Sequence, residues 1–173
     1  MTVSVRQMDE SAATLTGPTV IGGVGLPWRR DLDLGRLLIE ELASQEWPDD
    51  VIVEDLSYSA HRVMHTLEEL RPSRLILVGA TSRGRDPGEI TKYRIDHRED
   101  LDDQEVIDRL GESVGGVIDL DHVLVVNRYF GSLPEDTVVI DVEAGDQTFG
   151  TGYSDAIDAA IPLILEMIRE EIE

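Results

Sequence analysis

The chain contains no cysteine among its 173 residues. A disulfide, a thiolate nucleophile and a cysteine-bound zinc or iron–sulfur site are therefore excluded, and any metal ion would have to bind histidine, aspartate or glutamate. The sequence also lacks a run of about 18 apolar residues that could span a bilayer, and no apolar stretch near its start could form a signal peptide. We therefore expect a cytoplasmic protein without membrane insertion.

Basic residues are scarce in this acidic chain. The 15 lysines and arginines face 36 aspartates and glutamates, which gives a formal net charge of −21 at pH 7, and Lys92 is the only lysine. Nucleic acid is excluded as a partner, because its binding requires cations that neutralise phosphates. Adaptation to salt, a GC-rich genome or a basic partner surface would each explain the composition.

Apolar runs alternate with segments of helical period along the chain. Four runs predict strands, at residues 20–24, 51–54, 75–79 and 138–142. These runs are apolar on both faces, as parallel strands covered by helices must be. Leucines recur at i, i+3, i+4 and i+8 from Leu34 to Leu42, which indicates a helix with one apolar face. The alternation predicts an α/β fold, a three-layer sandwich with a mainly parallel sheet and helices on both faces.

The remaining segments are less regular. Residues 89–96 alternate enough to form a strand, which we expect at an antiparallel edge, and a helix starts near Asp102. Residues 117–130 fit either a strand or a helix. Ser154 is a good N-cap for a last helix that reaches the end of the chain. We interpret residues 1–18 as a flexible leader and 19–173 as one domain.

A glycine-rich turn follows the first predicted strand. It begins like a dinucleotide-binding G-x-G-x-x-G motif, but Trp28 occupies the third glycine position, and the G-K-[ST] ending of a P-loop is absent. The turn lies at the carboxyl end of a parallel strand, where open α/β sheets bind ligands. We expect one groove there for a ligand or partner, formed by Gly23, Gly25, Pro27, Trp28, Arg29, Arg30, Asp31, Asp33, Thr81, Ser82 and Gly116.

Two arginine pairs follow the first and third predicted strands. They are Arg29-Arg30 and Arg83-x-Arg85. In so acidic a chain, clustered arginines could bind a partner segment that carries carboxylates. The alternative, equally compatible with the sequence, is that they neutralise neighbouring aspartates.

Four motifs occur in a recognisable order. They are GVGLP at residues 23–27 with Asp31 after it, PGEI at 87–90, GSLP at 131–134 before a strand that ends in Glu143, and GTGYS at 150–154. Together they resemble the motifs of the nickel–iron hydrogenase maturation endopeptidases, over nearly all of residues 19–173. The resemblance implies an α/β sandwich and a metal-dependent endopeptidase that removes the C-terminal extension of the hydrogenase large subunit.

The metal-site positions of that family are changed in this chain. The resemblance places Leu32 at a nickel-recognising acidic position, Gly79 at an aspartate that closes the third strand, and Gly116 at a histidine. Leu26 replaces an asparagine of the first motif. The resemblance therefore leaves catalysis open: we expect no tightly bound cofactor, with nickel as the metal if the family's activity is retained.

Other residues could rebuild a metal site if the loops shift. The candidates are Asp31 and Asp33, which flank Leu32, together with His122 and with His61, which has His65 four residues later on one helix face. Surface charge, helix caps and a solvated helix face are the structural alternatives for the same residues.

Three functions remain compatible with the sequence. The first is a hydrogenase maturation factor that resembles these endopeptidases. The second is a non-catalytic relative, a pseudoenzyme, that binds a hydrogenase subunit or its C-terminal segment as a chaperone or adaptor. The third is an unrelated small-molecule-binding α/β protein.

Overall fold

The computed structural model describes residues 16–173, so most of the predicted leader lies outside the described residues. The described chain forms one five-stranded sheet. Its strands are β1 (Thr19–Val24), β2 (Val51–Asp55), β3 (Arg74–Thr81), β4 (Ile90–Arg94) and β5 (Asp136–Glu143).

The sheet is mainly parallel, with the spatial order β2-β1-β3-β5-β4. Strand β1 pairs in parallel with β2 and with β3, and β3 pairs in parallel with β5. Strand β4 runs antiparallel to β5 and forms one edge. The four predicted parallel strands and the antiparallel edge strand are therefore confirmed.

Residues 16–173 also form five α-helices and one 3₁₀ helix. They are the 3₁₀ helix (Arg30–Asp33), α1 (Leu34–Ala43), α2 (Ala60–Leu70), α3 (Asp103–Val114), α4 (Leu120–Tyr129) and α5 (Asp155–Ile172). The ambiguous segment 117–130 forms α4, which the Asp119 carboxylate caps by accepting a hydrogen bond from the His122 N–H at 2.9 Å. Within residues 16–173, no helix combines the length and the apolar character that a membrane span requires.

The helices cover both faces of the sheet, as predicted. Ile76 and Val78 of β3 pack into the core beneath α1 and α5, whereas Leu75 and Leu77 pack into the core beneath α2 and α4. Helix α3 lies against α4. The alternation of side chains along β3 thus builds two cores and a three-layer sandwich.

Two glycines let α1 approach β1 at backbone distance. A Cβ atom on Gly35 would lie 2.3 Å from both the nitrogen and the oxygen of Val24, and one on Gly23 would lie 2.0 Å from the Gly35 oxygen. No side chain fits at such distances. These glycines are required for helix–strand packing, and they fix where the turn between β1 and α1 leaves the sheet.

Candidate functional site

The loops after β1, β3 and β5 meet at one edge of the sheet. Strands β1 and β3 are parallel neighbours, so both end at this carboxyl edge. The Thr81 carbonyl accepts a hydrogen bond from the Ala144 N–H at 2.9 Å, and the Asp31 carboxylate accepts one from the next N–H, that of Gly145, at 2.8 Å. Asp31 and Thr81 are thus held by consecutive residues after β5.

Asp31 is fully buried and joins three parts of the fold. Its Oδ2 accepts hydrogen bonds from the N–H groups of Gly145 and Asp146, each at 2.8 Å, and from the Ser154 hydroxyl at 2.7 Å. Its Oδ1 accepts the Ser154 N–H at 2.7 Å. Four donors therefore surround this carboxylate, which links the turn after β1 to the start of α5.

Asp33, the second aspartate of the turn, is also buried but has a different environment. Its carboxylate forms a two-pronged ion pair with Arg36, one turn along the chain, with 2.8 Å between Oδ1 and Nε. The hydrogen bond from Arg36 to Asp33 raises the pKa of the guanidinium. Asp33 thus carries its own counter-ion.

His122 is buried where three helices meet. Its Nε2 accepts the Ala60 N–H at the start of α2, at 3.1 Å. Its Nδ1 therefore carries the proton and donates to the Arg109 carbonyl of α3 at 2.8 Å. Both ring nitrogens are engaged by backbone groups, which holds α2, α3 and α4 together.

A buried charge cluster, which the sequence analysis did not single out as a site, lies on the α4 side of the same edge. Asp141 and Glu143 of β5 are only 2 % and 3 % exposed. The Asp141 carboxylate accepts the Thr81 hydroxyl at 2.6 Å and the Arg83 Nε at 2.7 Å, and Arg85 lies within 3.1 Å of both acids. The arginines after β3 therefore neutralise buried acids. Two features of the sequence could have indicated this cluster: the acidic residues within the apolar run of β5, and the Arg83-x-Arg85 pair after β3.

Ionisable groups in and beside the cluster have shifted pKa values. Burial alone would raise the pKa of Glu143, but hydrogen bonds from the N–H groups of Arg83 and Gly84 and from the Arg85 guanidinium lower it below 4.5. Burial also disfavours the charged form of Arg83 and would lower its pKa, but its hydrogen bonds to Asp121 and Asp141 raise the pKa. Burial, together with the nearby Asp141 charge, raises the pKa of Tyr93 to about 12.

Solved structures of similar fold identify the architecture. No protein-family model matches the sequence, and a search of curated proteins finds no match. The hydrogenase 2 maturation peptidase from a Thaumarchaeota archaeon superposes with a TM-score of 0.64 at 18% identity, over 89% of this chain and 97% of that chain. The endopeptidase HybD from E. coli superposes with a TM-score of 0.63 at 18% identity, over 89% of this chain and 93% of that chain. The protease HycI from Thermococcus kodakarensis superposes with a TM-score of 0.61 at 20% identity, over 89% of this chain and 91% of that chain.

This chain has the fold of the hydrogenase maturation endopeptidases. The match spans almost the whole of each solved structure, so the resemblance seen in the sequence motifs is confirmed at the level of the fold. The carboxyl edge can therefore be compared with the positions that the motifs assign to the endopeptidases' metal site.

None of those three positions offers a metal donor. Leu32 packs against the core beneath α1 and α5. A Cβ on Gly79 would lie 3.0 Å from the Val24 oxygen and 3.1 Å from the Leu120 Cβ, so neighbouring atoms already fill this space. Gly116 lies in an exposed turn between α3 and α4, at φ 79°. Within residues 16–173, no three His, Asp or Glu side chains are grouped so that they could hold a metal ion.

The exposed part of the edge carries a stacked aromatic pair. Trp28 is 56 % exposed and Phe149 is 80 % exposed, and their ring centroids lie 6.0 Å apart at an interplanar angle of 16°. Trp28 and Arg30 adopt left-handed backbone at φ 65° and 46°. The Trp28 carbonyl accepts the Gly150 N–H at 3.0 Å, which ties the two loops together.

Arg29 and Arg30 flank this aromatic pair. Arg29 is exposed, and its Nε donates to the Gln147 carbonyl at 2.9 Å rather than to a carboxylate. Arg30 donates to Thr148 at 3.2 Å and lies 3.6 Å from the Asp146 carboxylate. We call Trp28, Arg29 and Phe149 the aromatic edge surface.

Proposed function

We propose that this protein acts in hydrogenase maturation, in the cytoplasm, by binding the hydrogenase large subunit or its C-terminal segment at the carboxyl edge of the sheet. The observation that carries the proposal is the fold, which matches solved maturation peptidases over 89% of this chain. The ordered motifs of the sequence support it independently. The solved relatives are named for hydrogenase maturation, and this role is inferred here for the present chain.

We propose further that the protein binds without tightly held nickel and without metal-dependent proteolysis. The residues at the endopeptidases' metal positions do not fit a metal ion, because Leu32, Gly79 and Gly116 lack donor side chains. The nearby candidates have other partners: four donors surround Asp31, Arg36 pairs with Asp33, and backbone groups engage both nitrogens of His122. The non-catalytic chaperone or adaptor is therefore the function that the geometry supports best.

The aromatic edge surface is the docking site in this proposal. Contiguous exposed apolar patches often mark interaction sites, and Trp and Arg are among the residues that most often dominate binding energy at interfaces. A left-handed backbone at a non-glycine residue costs on the order of 1–3 kcal/mol, and such strain is concentrated at functional sites. The cationic Arg29, on a chain of net charge −21, adds a local attraction for a partner carboxylate.

Binding to the precursor of the hydrogenase large subunit, with its C-terminal extension present, tests the proposal. We expect the full chain to bind in biolayer interferometry, and the double variant Trp28→Ala/Phe149→Ala to bind at least about tenfold more weakly. Tyr129 and Phe130 provide the matched control, because they form an exposed aromatic pair with centroids 5.2 Å apart. They lie just before β5, at the opposite edge of the sheet.

Three outcomes would count against the proposal. If Tyr129→Ala/Phe130→Ala weakens binding and the Trp28/Phe149 variant does not, the docking surface is wrong. If neither the large subunit nor a peptide of its C-terminal segment binds, the hydrogenase role is wrong and the small-molecule-binding alternative gains support. If the protein, supplied with nickel, removes the extension from the nickel-loaded large subunit, the non-catalytic assignment is wrong.

A further inference from the structure

Two histidines on the exposed face of α2 point their ring nitrogens at each other. The Nε2 atoms of His61 and His65 lie 3.1 Å apart, with the ring centroids separated by 4.6 Å and the planes at 84°. Both side chains are exposed, whereas Val63 and Leu67 form the buried face of the helix. The pair therefore faces solvent and serves no packing role in the core.

The distance between the two nitrogens fits a shared metal ion. Bonds from imidazole nitrogen to zinc are about 2.0–2.1 Å long, so two nitrogens 3.1 Å apart would subtend an angle of about 98° at the ion. This angle lies between the octahedral value and the tetrahedral value. Little movement of either side chain is needed for both lone pairs to reach one ion.

A neighbouring carboxylate is placed to orient one of the rings. The Glu68 carboxylate lies 3.5 Å from the Nδ1 atom of His65. In the tautomer whose Nδ1–H faces this carboxylate, the lone pair lies at Nε2, on the side that faces His61. Carboxylates that support metal-binding histidines act in this way and raise the basicity of the ligand.

We propose that His61 and His65 form a site for one divalent transition-metal ion, with water completing the coordination. The site uses neither Asp31 nor Asp33, and it does not depend on the proposed function. Imidazole pairs bind Ni²⁺, Zn²⁺ and Cu²⁺, whereas Mg²⁺ and Ca²⁺ prefer oxygen donors. Affinity rises toward Cu²⁺ in the Irving–Williams order, and two protein ligands make an exchangeable site.

Calorimetric titration of the metal-stripped full chain with Ni²⁺ and with Cu²⁺ tests this site. We expect one ion per chain and tighter binding of Cu²⁺. His61→Ala and His65→Ala should each weaken binding by about 100-fold. In the wild type the helix holds the second imidazole close to an ion bound by the first, and each variant loses this second ligand. Glu68→Gln should weaken it by about tenfold. Neither histidine is buried, so these variants should keep the native circular dichroism spectrum.

His97 provides the matched control among the four histidines of the chain. His97→Ala should leave binding unchanged, because the His97 ring contacts the Pro134 carbonyl at 3.1 Å and lies outside α2. Asp33→Ala should also leave it unchanged. Nitrogen hyperfine structure from two equivalent imidazoles in the Cu²⁺ electron paramagnetic resonance spectrum would support the site. Undiminished one-to-one binding in the His61→Ala/His65→Ala double variant would overturn it, as would the absence of Ni²⁺ and Cu²⁺ binding in the wild type.

Discussion

Replacement of Asp31 by alanine tests whether this carboxylate is a structural connector or a metal ligand. The substitution removes the acceptor for three backbone N–H groups and one hydroxyl, all gathered around a side chain with no exposed surface. A buried donor left without a partner costs about 1–3 kcal/mol. The Ser154 hydroxyl can rotate toward another acceptor, but the three N–H groups are fixed by the backbone.

At about 1–2 kcal/mol for each of the three N–H groups, the expected destabilisation is about 3–6 kcal/mol, a large part of the roughly 5–15 kcal/mol that stabilises a typical domain. For a chain of this length, each kcal/mol lowers Tm by about 2–4 °C. We expect Tm to fall by about 6–24 °C in differential scanning calorimetry of the metal-free protein. The C-terminal helix α5 should lose amide-exchange protection first, because Asp31 holds its N-terminus.

Asp33→Ala is the matched control, since Asp33 is as buried as Asp31 and lies two residues away. Among the described residues, the Asp33 carboxylate pairs with Arg36, whose side chain is 34% exposed and can turn into solvent when the carboxylate is removed. The expected loss is about 1–2 kcal/mol. If Asp31→Ala leaves the Tm of the metal-free protein unchanged or raises it, and abolishes a stoichiometric nickel site, Asp31 is a ligand and the structural interpretation is wrong.

Two further predictions concern packing and pH. Gly35→Ala should destabilise the protein by about 3 kcal/mol or more in urea unfolding, because its Cβ would lie 2.3 Å from backbone atoms of Val24. The control, Gly111→Ala on the open surface of α3, should be neutral or stabilising. Equal effects of the two substitutions would contradict this. Because its hydrogen bonds lower the pKa of Glu143, this residue stabilises the fold fully above about pH 4.5, and the contribution is lost as pH falls through the lower folded-state value. In Glu143→Gln, the free energy of unfolding should fall less steeply as pH decreases below about 4.5. An unchanged pH dependence in this range would count against the lowered pKa of Glu143.

The strands β1, β3 and β5 could be predicted from the sequence because they are buried on both faces, whereas the edge strand β2 is only partly buried. A run such as residues 75–79 has no polar position, and only a sheet covered by two helix layers accommodates it. Residues 117–130 were ambiguous for a local reason. The β-branched valines around Val123 favour a strand, but the capping carboxylate of Asp119 and the burial of one side favour α4.

The site was harder to predict, because the interactions that decide its chemistry are remote in sequence. The bonds of Asp31 reach residues 114 to 123 positions away, and the buried acids of β5 meet arginines about 58 positions away. The sequence pattern indicated that Asp31 and Arg83 lie near one edge of the sheet. It could not show whether their hydrogen-bonding capacity was available to a ligand.

The contact between Asp31 and α5 bears most directly on function. Ser154 occupies the predicted N-cap position, yet its hydroxyl does not cap the helix and donates to the Asp31 carboxylate at 2.7 Å. Asp31 thus supplies the negative charge that a helix N-terminus favours, from a loop more than a hundred residues earlier. A metal ion at this carboxylate would displace N–H donors and place positive charge beside that N-terminus. Both effects oppose metal binding, which agrees with the structural role that we propose for Asp31 at the carboxyl edge.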